Sequence, residues 1–198
     1  MRRLFENRVA FITGASSGIG AALAREFARH GAAVALAARR EERLQEVKRA
    51  IEEAGGDAEV CVCDVTDRSS IERAVVKAVV KYGRLDVAVA NAGFGVTGLF
   101  EQIRTEDFRR QFDVNVFGVI DTVYAVLPHL KSTRGRLGIV SSTMGRAGLP
   151  TGTAYSSSKF AVCGLAESLY YELAEYRVSV TCICPGLVES DIRRTDNL

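Results

Sequence analysis

The chain has 198 residues, of which 47% are hydrophobic and 25% charged, with a net charge of +2. That length buries one substantial core and is short for two, so a single domain over residues 1–198 is expected. Charges of both signs are interspersed, leaving no basic stripe for nucleic acid and no cationic patch for a membrane, and no apolar run approaches the roughly 18 residues that span a bilayer; a soluble, cytoplasmic protein is expected.

Residues 8–13 form an apolar run that enters Gly14-Ala15-Ser16-Ser17-Gly18-Ile19-Gly20, after which residues 21–30 read as a helix stopped by Gly31. A buried strand feeding a glycine-rich turn presents backbone N–H groups and the positive end of a helix, where a pyrophosphate docks. The spacing is G-x-x-x-G-x-G rather than G-x-G-x-x-G, and the competing reading is a strand-to-helix turn with no ligand. The second strand, 33–38, ends at Ala38 and runs into Arg39-Arg40 and a charged helix over 41–54. At this junction an acid would bind a ribose 2′-hydroxyl and an arginine would accommodate a 2′-phosphate. Ala38 supplies no acid, Arg39 supplies a cation and Arg40 could support it, so NADP(H) is the expected cofactor; the alternative is a solvated charge pair.

A third strand over 60–63 carries Asp64 and Val65 at its carboxyl end, as neighbours of an adenine or as a loop tie, followed by a helix over 68–81. The fourth strand, 85–90, ends in Asn91-Ala92-Gly93. Residues 105–127 predict one long helix containing Asn115, with Pro128 marking its end. A buried amide there needs a partner or a site, since leaving it unsatisfied costs about 1–3 kcal/mol. The fifth strand, 137–140, leads to Ser141-Ser142; a helix over 152–175 has an apolar line at Leu165, Leu169 and Leu173; the sixth strand, 178–183, ends in Cys184-Pro185-Gly186. The alternation of strands and helices predicts a doubly wound α/β fold with a parallel sheet.

On the helix over 152–175, Tyr155 and Lys159 stand one turn apart on one face, so phenol and ammonium project side by side. A phenol ionises near pH 10, and an adjacent cation favours the phenolate, bringing it toward acid/base work near neutrality. Ser142 could hydrogen-bond a substrate carbonyl and stabilise developing negative charge. The competing reading is an amphipathic helix start with a solvated lysine. Five cysteines occur as Cys61-x-Cys63, Cys182-x-Cys184 and Cys163. Each C-x-C pair could be half a metal site, but no His or further Cys lies nearby in sequence, and buried reduced thiols are the reading adopted, with no metal.

Taken together, Thr13 to Gly20, Asn91-Ala92-Gly93, Asn115, Ser142, Tyr155-x-x-x-Lys159 and Pro185-Gly186 resemble the short-chain dehydrogenase/reductase family over essentially the whole chain. The resemblance implies a Rossmann-type sheet of strand order 3-2-1-4-5-6, hydride transfer between a nicotinamide cofactor and a carbonyl or alcohol, and a homo-oligomer formed through the helices at 105–127 and 152–175. It implies Tyr155 as general acid/base, Lys159 as its activator and a holder of the nicotinamide ribose, Ser142 as the group that orients the substrate oxygen, and Asn115 as a proton-relay residue. Thr13 would brace the turn against Asn91; Gly14, Ser16, Ser17, Gly18, Ile19, Gly20, Arg39, Asp64, Val65, Ala92, Gly93, Pro185, Gly186, Val188 and Ser190 would contact the cofactor. Ser190 stands where the family usually has threonine. Family members commonly continue past the position of Leu198 into a substrate-covering segment and a seventh strand, so a sensor or scaffold that binds NADP(H) without turnover is the alternative. The loops at 94–100 and 144–149 are mostly apolar or small, which suggests a hydrophobic carbonyl substrate.

Overall fold

Six short strands carry almost nothing but small and β-branched apolar side chains, and all five residues of β1 (Val9–Thr13) and all four of β4 (Val87–Ala90) are buried. A strand that is apolar on both faces must be covered on both faces, which is the condition of a parallel sheet flanked by helices. A computed structural model, describing residues 4–188, shows this sheet. With β2 (Ala33–Ala38), β3 (Asp57–Val62), β5 (Arg136–Val140) and β6 (Ser179–Ile183), the order is β3-β2-β1-β4-β5-β6, every pairing parallel.

Alternate residues of β1 face opposite sides. Phe11 belongs to a core shared with α3 (Arg68–Tyr82), α5 (Gly118–Thr133) and α6 (Thr153–Glu172), whereas Ala10 and Ile12 belong to a core shared with α1 (Gly18–Arg29) and α2 (Glu41–Glu53). The reversal of strand order between β1 and β4 places their carboxyl ends at the switch point where such sheets bind ligands. No helix among the described residues is long and apolar enough to cross a membrane.

Three sequence expectations are corrected. The helix expected over 105–127 is instead α4 (Thr105–Phe112), a widened π turn at Asp113–Phe117, and α5. Pro128 does not end α5, which continues to Thr133 because the apolar stripe of Val123, Val126 and Leu130 runs through the proline and is buried; a left-handed Arg134 then closes it. The apolar line expected on α6 holds, with Leu173 buried and Leu165 and Leu169 packed partly buried against the same core, beside a fully buried line of Ala154, Ser158, Val162 and Ala166. β3 also begins three residues before its expected start at Val60.

Candidate active site

The turn after β1 is set by hydrogen bonds to its neighbour strand. Thr13 Oγ1 accepts from the N–H groups of Asn91 (2.9 Å) and Ala92 (3.1 Å), and Asn91 Nδ2 donates to Thr13 O (2.9 Å) and Gly14 O (3.3 Å). Gly14 has φ +67°, and a Cβ there would stand 2.8 Å from Asn91 Nδ2 and 2.9 Å from Ala92 Cα. The protein's own backbone therefore excludes a side chain at Gly14, whether or not a ligand is bound. Gly20, in the first turn of α1, packs its Cα against the Gly14 carbonyl in the same way.

Ser17 is the extended N-cap of α1, and its side chain makes no capping hydrogen bond. The first N–H groups of α1, from Gly18, Ile19 and Gly20, thus have no side-chain cap and face the carboxyl end of the sheet. Arg40 lies across this turn, its Nη2 donating to Ser16 Oγ (3.2 Å) and Ser17 Oγ (3.1 Å). Arg39 is exposed and makes no such contact among the described residues. A helix start, two hydroxyls and a guanidinium form a donor set suited to phosphate oxygens. At the end of β3, Asp64 Oδ1 accepts from Thr66 N (2.9 Å) and Thr66 Oγ1 (2.8 Å), which is the loop-tie role. The Val65 side chain is buried beneath Gly118 and leaves only its backbone to border a ligand.

The second half of the site is built on α6 and the π turn. Lys159 is 3% exposed, donates from Nζ to the Val140 carbonyl at the end of β5 (2.9 Å), and holds its ammonium 5.6 Å from the centre of the Tyr155 ring. Burial is the chief cause that pulls its pKa down from the ordinary lysine value to about 8, with Cys163, Cys182 and Cys184 acting in the opposite direction. Gly93 lies over this pair of groups: a Cβ there would stand 3.0 Å from Asn115 Oδ1 and 3.6 Å from Lys159 Nζ. Asn115, fully buried in the π turn, accepts from Phe94 N (3.1 Å) and donates to Phe94 O (3.0 Å) and Ser158 Oγ (3.1 Å). Ser158 in turn donates to the Tyr155 carbonyl (2.7 Å). Ser142, just past β5, accepts from Met144 N (3.1 Å), and the following Thr143 N donates to Pro185 O (2.9 Å), which joins the Ser142 turn to the Pro185-Gly186 turn. Gly186 and Val188 are exposed here; Ser190 lies outside the described residues.

The structure thus brings Thr13 to Gly20, Asn91 to Gly93, Asn115, Ser142, Tyr155, Lys159 and Pro185 to one end of the sheet. It also supplies residues that the sequence reading missed. Gln111, fully buried one helical turn before Asn115, accepts from Val96 N (2.8 Å) and donates to Phe94 O, so the two amides together pin the loop after β4. Their four-residue spacing was the available signal. Phe94 and Val96 are buried by this pinning, and it is Leu99, Phe100 and Leu149 that stay exposed, with Gly98 N bonded to Thr151 O (2.9 Å) across the two loops. A groove of 730 Å³ between Arg8, Arg25, Gly56 and Arg84 lies at the opposite, amino ends of the strands and holds none of these groups.

Residues 8–198 match the family model for short chain dehydrogenase. The chain is 40% identical over 180 residues to a zebrafish (Danio rerio) 3-dehydrosphinganine reductase, covering 88% of this chain and 54% of the relative, so it spans about half the length of that protein. It is 37% identical to the 3-oxoacyl-[acyl-carrier-protein] reductase FabG of Thermotoga maritima, over 93% of this chain and 76% of the relative. A short-chain dehydrogenase/reductase from Burkholderia phymatum solved with NAD superposes with a TM-score of 0.94 at 28% identity, over 98% of this chain and 70% of that one. With the parallel sheet in its expected order and the model matched from β1 onward, the chain belongs to the short-chain dehydrogenase/reductase family.

Proposed function

We propose that this chain is a reductase or dehydrogenase that interconverts a hydrophobic ketone and its alcohol with NADP(H). The single observation that carries the reading is the buried Lys159 ammonium held beside the Tyr155 ring, because burying a cation is costly and is kept where chemistry uses it. The cofactor's nicotinamide, when bound, supplies or accepts the hydride. The protein's part is the proton and the geometry. Tyr155 gives its phenolic proton to the carbonyl oxygen in reduction and takes it back in oxidation. Lys159 stabilises the phenolate left behind, and Ser142 donates a hydrogen bond to the oxygen on which charge builds. The open start of α1 receives the diphosphate, and Gly93, with no side chain over Lys159 and Asn115, leaves room for a flat ring.

The choice of NADP(H) rests on Ala38, which carries no competing carboxylate, and on Arg40 more than Arg39, since Arg40 already lies over the phosphate-binding turn. A hydrophobic substrate is supported by the exposed Leu99, Phe100 and Leu149 and by the two relatives, both named for reduction of a 3-oxo group. Asn115 has its side chain fully engaged by Phe94 and Ser158, so it acts by holding the loop and the start of α6, and a relay through it would use its backbone. Exposed Tyr124 on α5 and Phe160, Tyr170 and Tyr171 on α6 suit a second copy of the chain on this face. No feature of the site favours a sensor without turnover.

The test is to mix purified protein with NADPH or NADH and a series of 3-oxoacyl thioesters and long-chain 3-ketones, following the loss of reduced-nicotinamide absorbance. Oxidation that is faster with NADPH, rises with chain length and vanishes in Tyr155→Phe is expected. Cofactor binding without turnover across the series would overturn the reading.

A further inference from the structure

Behind Lys159, on the side away from the turn of α1, three cysteine side chains that are scattered in sequence converge. Cys163 lies one turn after Lys159 on α6, while Cys182 and Cys184 point to the same side of β6 and its end. Their sulfurs all lie within 4.8 Å of one another, at 3.6 Å between Cys182 and Cys163 and 3.8 Å between Cys182 and Cys184. We infer that Cys163, Cys182 and Cys184 form a three-sulfur site for a soft divalent cation of the zinc class.

The sulfur spacing is the first support. Three thiolates at about 2.3 Å from one tetrahedral zinc ion lie about 3.8 Å apart, close to the separations of Cys182 from Cys163 and from Cys184, with the remaining pair within 4.8 Å. A disulfide would require two of these sulfurs to close to about 2.0 Å, and no pair here approaches that. Charge is the second support. Three thiolates and one divalent ion carry a net charge of −1, and the Arg146 guanidinium, paired with Glu167 at 2.6 Å and with its pKa raised by Glu167 and then by nearby Cys184, is the cation within reach of that charge. The third is the surrounding order. The Cys163 thiol donates to Ser141 Oγ (3.2 Å), Ser141 donates to the Lys159 carbonyl (2.9 Å), and a Cβ at Gly145 would stand 3.0 Å from Cys163 Sγ. Close packing against Gly145 therefore holds Cys163 in place, the proton it donates to Ser141 being released to solvent when the thiolate ligates, while Cys182 and Cys184 are half-exposed and leave a path for the ion and a fourth position for water. Cys61 on β3 and Cys63 just past its end, the other C-x-C pair, are buried, and no third ligand joins them among the described residues.

The test uses the full chain and cobalt(II), whose sulfur-to-metal charge-transfer absorbance in the near ultraviolet reports thiolate ligation, with zinc as competitor. One cobalt ion per chain, displaced by zinc, is expected. Cys184→Ser, at a half-exposed position that should not disturb folding, should weaken binding by about tenfold or more, and Cys61→Ala should leave it unchanged. A second measurement needs no variant: zinc should protect Cys182 and Cys184 of the unmutated protein from alkylation while leaving Cys61 and Cys63 as they were. Absence of the charge-transfer band, a Cys184→Ser variant that binds cobalt as before, or protection confined to Cys61 and Cys63 would each overturn the site. Because no readout depends on turnover, failure here is distinguishable from failure of the proposed reductase activity.

Discussion

At the scale of single residues the site depends on two cations placed very differently. Lys159 is enclosed, and burial lowers its pKa to about 8, so it is charged at neutral pH and loses its charge as the pH rises through that value. Where the ammonium is needed to stabilise the phenolate of Tyr155, carbonyl reduction should fall on the alkaline side of about pH 8, measured as kcat/KM against pH with saturating cofactor. The same burial weighs on stability with the opposite sense: the folded-state pKa is below the unfolded one, so the charged lysine disfavours folding below pH 8 and this effect fades toward pH 10.5. Lys159→Met should therefore abolish turnover while raising Tm at pH 7, with a smaller rise at pH 10; a lower Tm at pH 7 would mean that the bond to Val140 O outweighs the buried charge. Tyr155→Phe should lower kcat by about 10²–10⁴-fold with little change in cofactor affinity, because only a proton donor is removed. Arg40 is exposed and bonded to hydroxyls alone. A charged hydrogen bond from it to a 2′-phosphate contributes about 1.5–3 kcal/mol, so Arg40→Ala should cost roughly ten- to hundredfold in NADPH affinity and little in NADH affinity, read by calorimetry. Equal losses for the two cofactors would place the guanidinium on the diphosphate instead.

At the scale of elements, the decisive feature is the interruption between α4 and α5. The π turn aims Asn115 at Phe94 and Ser158, and Gln111 one turn earlier takes Val96 N and Phe94 O, so two amides of one broken helix hold the loop that follows β4. Gln111→Ala leaves the Val96 N–H unpaired in a buried place. It should cost about 1–3 kcal/mol in stability and, by releasing the loop that borders the substrate, raise the substrate KM several-fold with the cofactor Kd nearly constant. A parallel loss of cofactor affinity would show that the loop also shapes the nucleotide site. The glycine turn behaves in the reverse way: Gly14 is closed by Asn91 and Ala92, so a bulky residue there should impair folding itself as well as cofactor binding.

At the scale of the molecule, the two ends of the sheet divide the work. The carboxyl ends gather the glycine turn, Tyr155 and Lys159, and the amino ends hold a clamp at Asp86, which is 4% exposed and accepts from Arg8 (2.7 Å), from Arg84 (2.6 and 2.8 Å) and from Val9 N (3.0 Å). Burial would raise the Asp86 pKa, but these hydrogen bonds outweigh it and hold the carboxyl below its ordinary value. Its contribution to stability is therefore present above about pH 4 and is lost as the pH falls through the lowered folded-state value. Asp86→Asn should lower Tm clearly at pH 7, less at pH 3, and leave cofactor affinity unchanged; an equal loss at both pH values would show that the charge contributes nothing.

The sheet is legible from the amino-acid pattern, because buried parallel strands must be apolar on both faces and because glycine turns and helix caps are local signals; all six strands and the flanking α1, α2 and α3 can be read in one pass along the chain. The same pattern also singled out Tyr155 and Lys159 by their four-residue spacing and Ser142 by its place at a strand end, while the role expected of Asn115 came from the family resemblance; the structure brings these residues to one end of the sheet. Relations between segments far apart in sequence needed the folded chain: that Arg40 and not Arg39 reaches Ser16 and Ser17, that Pro128 is carried inside a helix by the burial of Leu130, and that Gln111 and Asn115 share one loop. The cysteines show the reason most directly. Cys182-x-Cys184 is incomplete as a linear pattern, and Cys163 joins it only because α6 packs across β6, a contact that no local spacing encodes.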